Sequence, residues 1–150
     1  MNNVFNLNDA NQIINRINQL SPKTERQWGK MTSAQMLAHC NVTYEMVYEN
    51  VHKKPNGIAR FMLKIFVKKA VVGDTPYKPD TRTAPQFIIT ETKDFEAEKA
   101  RLIAYIQKTQ ELGADHFDGK ESHSFGALNK QEWNNLFYKH LDHHLTQFGL

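Results

Sequence analysis

Three of the chain's seven histidines fall in one short stretch, "YKHLDHHLTQF", Tyr138 to Phe148. Imidazole is a common ligand for transition metals. Two histidines at i and i+4 of a helix stand one turn apart on one face, where their nitrogens can converge on a single cation. With Trp133 set at zero and ~100° per residue, a helix through this stretch places Phe137 near ~40°, His140 near ~340°, His144 near ~20° and Phe148 near ~60°. His140 and His144 therefore lie in the middle of an apolar stripe. His143 falls near ~280°, towards the edge of that stripe, which makes it the poorer ligand; a tightened last turn would favour pairing His140 with His143 instead. Pairs of this spacing also occur as surface accidents or hydrogen-bonded core histidines, so a third ligand is needed to give the pair meaning. The candidate is His39 in "MLAHC", beside the stripe of Met36, Cys40 and Thr43, on a segment with no other histidine until His52. Cys40 is adjacent, but neighbouring residues point ~100° apart on a helix, and Cys40 reads as core.

A ligand set spread over distant parts of the chain needs facing helices, and the hydrophobic periodicity supplies them. The first helix is expected from about Asn8 to Leu20, with Ile13, Ile14, Ile17 and Leu20 on one side and Pro22 forbidding continuation. In "WGKMTSAQMLAHCNVTYEMVYENV", Thr32 and Gln35 have capping-box spacing, and Met36, Cys40, Thr43, Val47 and Val51 form a stripe. After the "KKPNG" break, "IARFMLKIFVKKAVV" is helical by pattern and leads into the proline-punctuated loop "GDTPYKPDTRTAPQF". A long helix runs from about Asp94 to Leu112 and stops at Gly113. Asn129 with Glu132 then starts a last helix reaching about Phe148. No strand pattern, internal repeat or low-complexity tract stands out, so the fold class is all-α, a helical bundle whose interior can build a metal site.

Composition sets the bounds. The 150 residues fit one domain spanning 1–150, and 40% hydrophobic residues suffice for a sizeable core. The net charge of +3 is mixed along the chain, which gives no electrostatic case for nucleic acid. Cys40, the single cysteine, excludes an intrachain disulfide and a cysteine-rich zinc site, and suits a reducing compartment. The start "MNNVFNLNDANQIINRI" lacks a basic, then apolar signal pattern, and no run reaches transmembrane length, so a cytoplasmic protein is expected.

Taken together, "WGKMTSAQMLAHC" and "SHSFGALNKQEWNNLFYKHLDHHLTQFG" resemble the DinB-like (YfiT-like) superfamily of metalloenzymes, specifically a subgroup of small bacterial proteins of uncharacterised function. The resemblance covers nearly the whole chain, and "TAPQF" shares it. It implies a four-helix bundle with a long crossover, leaving a short extra helix among those read above. It also implies a metal held by one histidine from the second helix and a pair four apart on the last. Those roles fall on His39, His140 and His144. Members of the superfamily include transferases and isomerases that use low-molecular-weight thiols, but fold analogy does not select a reaction.

Three neutral imidazoles suit zinc, nickel or iron and leave coordination positions for water or substrate. A divalent ion there would lower the pKa of a bound water or thiol near neutral pH. The expected function is therefore metal-dependent chemistry on a small molecule, with activation of a cellular thiol for transfer to an electrophile placed first. A metal-dependent hydrolase, a non-catalytic metal or ligand binder, and a partner-binding bundle with coincidental histidines are the alternatives.

Other residues have plainer readings. His116 and His123 are loop histidines, with a place at the site mouth as the alternative, and His52 is a surface residue. Asp142 and Glu132 are a solvated and a capping acid before they are partners of an imidazole. Tyr44 and Tyr138 pack rather than donate protons. Trp28 and Trp133 are core or lid aromatics. The basic, apolar run "ARFMLKIFVKKAVV" reads as a packed helix with solvated lysines, in preference to a membrane-surface helix. Its apolar residues exceed one buried stripe, the kind of excess that marks a homodimer interface.

Overall fold

Side-chain caps decide where the long helices begin. In the computed structural model, which describes residues 2–49, 51–81 and 83–150, Asn6 caps α1 (Leu7–Gln19) by accepting from the backbone N–H groups of Asn8 and Asp9. Thr32 and Gln35 close a capping box on α2 (Ser33–Tyr48). The connection that follows carries two short helices, α3 (Gly57–Phe66) and α4 (Lys68–Val72), and a single 3-10 turn, Pro85–Phe87. Asp94 caps α5 (Phe95–Phe117). A second capping box, Asn129 with Glu132, starts α6 (Lys130–Gln147). Each box satisfies two backbone donors that a helix start otherwise leaves unpaired.

α1 and α2 each pack against both α5 and α6, and α5 packs against α6. Their shared core holds Ile13 and Ile17 of α1, Met36, Leu37 and Cys40 of α2, Leu102 and Ile106 of α5, and Phe137, Leu141 and Leu145 of α6. Trp133 lies flat against Phe137 and tilted against Phe117, so the start of α6 is locked by aromatic packing. Since each such buried side chain contributes ~1.5–3 kcal/mol, this core fixes α6 against α2 before any ligand enters the account.

The same helix turns polar side chains inwards to hold the rest of the chain. Asn134 accepts from the Val4 backbone N–H at 2.8 Å and donates to the Asn2 carbonyl at 3.1 Å. Asn135 donates to the Val72 carbonyl at 2.9 Å, and the Lys139 ammonium donates to the carbonyls of Ala70 at 2.9 Å and Gly73 at 2.6 Å. A cation placed on carbonyls that the end of α4 leaves unpaired is favourable in both charge and hydrogen bonding.

Several expectations need correction. The third helix is not continuous: it breaks at Val67 into α3 and α4. Its apolar residues close the core only in part: Val72 is buried in it and Leu63, Val67 and Val71 pack against it, but others face outwards. Ile58, Phe61 and Phe66 are 80%, 62% and 69% exposed, because the four long helices already fill the interior. The connection thus holds two short helices and a turn rather than one extra helix. Val51 lies beyond α2 and is exposed, so the stripe ends at Val47. Gly113, at φ 74°, interrupts α5 as expected of a helix-ending residue, but helical turns resume as far as Phe117. The loop before α6 contains a small antiparallel pairing, β1 (Glu121–Ser122) with β2 (Gly126–Ala127), too short for an alternating pattern to show. Among the described residues, no helix is long and apolar enough to cross a membrane.

Candidate metal centre

α2 and α6 face each other, and this brings His39 to the pair on α6. His39, His140 and His144 each offer a ring nitrogen, and the three nitrogens lie within 4.8 Å of one another. Nε2 of His39 is 2.9 Å from Nε2 of His140. Donors ~2.0–2.1 Å from a tetrahedral zinc stand ~3.3 Å apart, so small side-chain rotations bring the cluster to a metal's dimensions. The set could hold a metal ion.

The Nδ1 side of each ring explains why Nε2 is the nitrogen that converges. His39 Nδ1 donates to the Phe87 carbonyl at 2.8 Å, and since a carbonyl only accepts, the proton is on Nδ1 and the Nε2 lone pair is free. His144 Nδ1 is 2.9 Å from Oε1 of Gln147. The orientation of that amide is fixed from its other end, where Gln147 Nε2 donates to the Trp28 carbonyl at 2.9 Å, so Oε1 accepts from His144. Without a metal, His140 Nε2 donates to His39 Nε2 at 2.9 Å, so His140 Nδ1 accepts from the Thr43 hydroxyl at 3.0 Å; a bound metal would shift the proton to Nδ1, where the same hydroxyl can accept it. Holding Nδ1 by an acceptor is the arrangement that fixes tautomer and ring direction in metal-binding histidines.

Gly29 sits close behind this arrangement. Its φ of +80° is left-handed, and a Cβ there would stand 2.5 Å from Gln147 Nε2. The backbone approach that lets Trp28 hold Gln147, and through it His144, therefore requires glycine.

Burial sets the charge state. His39 and His144 are 4% and 7% exposed. Burial, with His39 nearby, pushes the His144 pKa down to about 3. His140 is held well below the ordinary histidine range by burial and by the neighbouring imidazoles. His39 is lowered by burial, partly offset by its bond to Phe87. All three are thus neutral at pH 7, the form that binds metal.

His143 does not join the cluster. Its ring lies tilted against Trp28 at 5.9 Å and edge-on to Tyr77 at 5.6 Å, and burial lowers its pKa. The histidines open on a cavity of about 810 Å³, which His39, His140, His143 and His144 help to line. His123 lines it too, with Nδ1 3.0 Å from the Ser124 hydroxyl, while His116 lies in the last turn of α5 rather than in a loop, exposed beside Lys120. His52 is half-buried rather than on the surface, 2.7 Å from Glu45. Asp142 pairs with Arg16 at 2.7 Å and Glu132 with Lys68 at 2.8 Å, so neither orients an imidazole. Tyr44 is buried, stacked on Phe137 and Tyr105. Tyr138 is half-buried, its hydroxyl 3.5 Å from Asp142. Trp133 is a core residue, and Trp28 is half-buried against His143. Cys40 is buried, and burial raises its thiol pKa, so it is no nucleophile.

Sequence reasoning missed the three orienting groups. Gln147 was within reach of a helical argument, since it follows His144 by three residues; Thr43 was not, because it lies on α2 and holds His140 across the interface with α6. The Phe87 carbonyl was not, because it comes from a loop.

Geometry and fold define a predominantly helical protein with a three-histidine cluster able to hold a metal ion. The family described as "Protein of unknown function (DUF1569)" matches residues 2–149, and the chain belongs to it. No curated protein and no solved structure matches the chain.

Proposed function

We propose that this protein is a divalent-metal-dependent enzyme of the DinB-like type, a four-helix bundle formed by α1, α2, α5 and α6, acting on a small molecule. The reaction proposed is activation of a low-molecular-weight thiol for transfer to an electrophile, in the cytoplasm, with zinc, nickel or iron as the metal. One observation carries this reading: three neutral imidazoles, two buried and one half-buried, each with Nδ1 beside an oxygen, bring ring nitrogens within 4.8 Å of one another at the wall of an open cavity. Such a ligand set leaves coordination positions for substrate, unlike the closed four-ligand set of a structural site. The metal would supply Lewis acidity, lowering the pKa of a thiol or water that it binds. The chain's own contribution is positional. Phe87, Thr43 and Gln147 fix the three rings, and the core around Phe137 and Leu141 keeps α6 in register with α2. Of the cavity-lining imidazoles outside the cluster, His143 is the one proposed to exchange protons with a bound molecule, since both ring nitrogens of His123 are engaged by Ser124 and the His52 carbonyl.

Metal analysis of protein purified without a histidine tag tests the site. The expected result is a stoichiometric transition metal, sharply reduced in His39→Ala, His140→Ala and His144→Ala. His143→Gln should keep most of its metal, whereas His144→Gln should lose it. Protein well short of one equivalent that takes up neither zinc nor nickel at low micromolar concentration ends the metal reading. A screen of cellular thiols with a chromogenic electrophile tests the reaction: the metalloprotein should conjugate faster than its chelated form.

A further inference from the structure

The cavity beside the histidines has a chemistry of its own, and it bears on what the proposed enzyme acts upon. We propose that it takes an uncharged, mostly apolar organic molecule; in the thiol-transfer reading this molecule is the electrophile. The proposal rests on that reading for the fate of the molecule, though not for its binding.

Size comes first. A volume of about 810 Å³ suits an organic ligand and far exceeds the needs of a metal with its waters. Most of the wall away from the histidines is apolar surface, with Met46 and Val47 from α2, Leu63 from α3, Val71 from α4, Phe87 from the 3-10 turn and Leu136 from α6. Leaving aside the histidines, the described residues bring one ammonium, Lys30, and one carboxylate, Asp80, to this lining.

The polar groups in the wall are largely engaged within the protein. Thr43 and Gln147 are committed to His140 and His144. The Ser122 hydroxyl donates to the Gly126 carbonyl at 2.8 Å and accepts from the Phe125 N–H at 2.9 Å. The Tyr77 hydroxyl donates to the Val71 carbonyl at 3.3 Å. A ligand with several charges would give up its hydration for walls with few partners to offer, which is unfavourable for each charge left unpaired. An apolar molecule has no charge to desolvate on entry and gains from leaving water.

N-phenyl-1-naphthylamine, an uncharged fluorophore that brightens in apolar surroundings, tests this directly. It should bind saturably at one site to the wild type, and equally whether or not the protein has been treated with a chelator. Val71→Asp or Val47→Lys, each shown to be folded by circular dichroism, should weaken binding tenfold or more by placing a charge in the wall. The double variant Phe61→Ser, Phe66→Ser, which alters only the exposed face of α3, should leave binding unchanged. Decan-1-ol should displace the dye, and glutathione, with two carboxylates and an ammonium, should not at equal concentration. The displacement pair decides the matter even where a wall variant misfolds.

Absence of saturable binding, indifference to both wall variants, or displacement by glutathione in preference to decanol would overturn the proposal. Its failure is distinct from that of the metal reading. Dye binding by a protein that takes up no metal removes the enzyme and leaves the cavity assignment, and a metal-loaded protein that ignores the dye does the reverse.

Discussion

Gln147 shows how much of the site depends on groups that never touch a metal. Its amide is fixed between the Trp28 carbonyl and His144 Nδ1, so removing it frees the imidazole to rotate and to change tautomer. Gln147→Leu should therefore keep the fold yet weaken zinc binding by ~10–100-fold, the usual cost of losing such an orienting partner. Titration against a competing chelator reads this, and an unchanged affinity would show that the Gln147 bond is incidental. The burial of the three histidines also has a consequence for the metal-free protein. Each is lowered in the folded state, His144 to about 3, whereas the unfolded chain titrates near the ordinary ~6.5. Below pH 6.5 the unfolded state therefore binds more protons, and stability falls as pH drops from there towards 3. The slope reaches at most ~1.4 kcal/mol per pH unit for each histidine. Urea unfolding of the chelated protein between pH 7.5 and pH 5 should show the midpoint falling with pH; a flat profile would mean that the rings are hydrated.

At the scale of elements, the parts legible in the sequence are those governed by local rules. Thr32 with Gln35 and Asn129 with Glu132 announce their helices because a capping box is a contact within four residues. The stripe arithmetic placed His140 and His144 together, and their meeting with His39 followed from helices that pack face to face. What stayed hidden depends on tertiary partners. Nothing local says that Asn134, Asn135 and Lys139 of α6 turn inwards, because polar residues ordinarily mark a solvated face, and their partners are carbonyls at the far ends of the chain and of α4. The break at Val67 and the exposure of α3 are hidden for the same reason: an amphipathic pattern says that a face wants cover, not that cover exists. Lys139→Met tests the tether. It keeps the length of the side chain but leaves the carbonyls of Ala70 and Gly73 without their donor, and should destabilise by ~1–3 kcal/mol in chemical denaturation. A loss below ~0.5 kcal/mol would place Lys139 with ordinary surface residues.

Across the whole molecule, the cluster joins α2 and α6, elements separated by most of the chain, through atoms that the core has already brought together. Among the three ligands none replaces an apolar contact of the core, which runs through Phe137, Leu141, Met36 and Cys40 on the same two helices. A metal should therefore stabilise this fold without being required for it, unlike a zinc finger, whose binding energy is its folding energy. Chelated protein should keep its helical circular dichroism, and adding zinc at ~100 times its dissociation constant should raise stability by ~2.7 kcal/mol, since the metal binds the folded state alone. His39→Ala should retain the apo stability within the effect of the substitution itself and lose the response to zinc. The same measurement separates two origins of that response. If zinc acts through the cluster, the shift disappears in His39→Ala, His140→Ala and His144→Ala alike and persists in His116→Ala, whose ring is exposed beside Lys120. Were the shift to survive all three cluster variants, zinc would be binding elsewhere on the folded chain, and the cluster would have no claim to the metal.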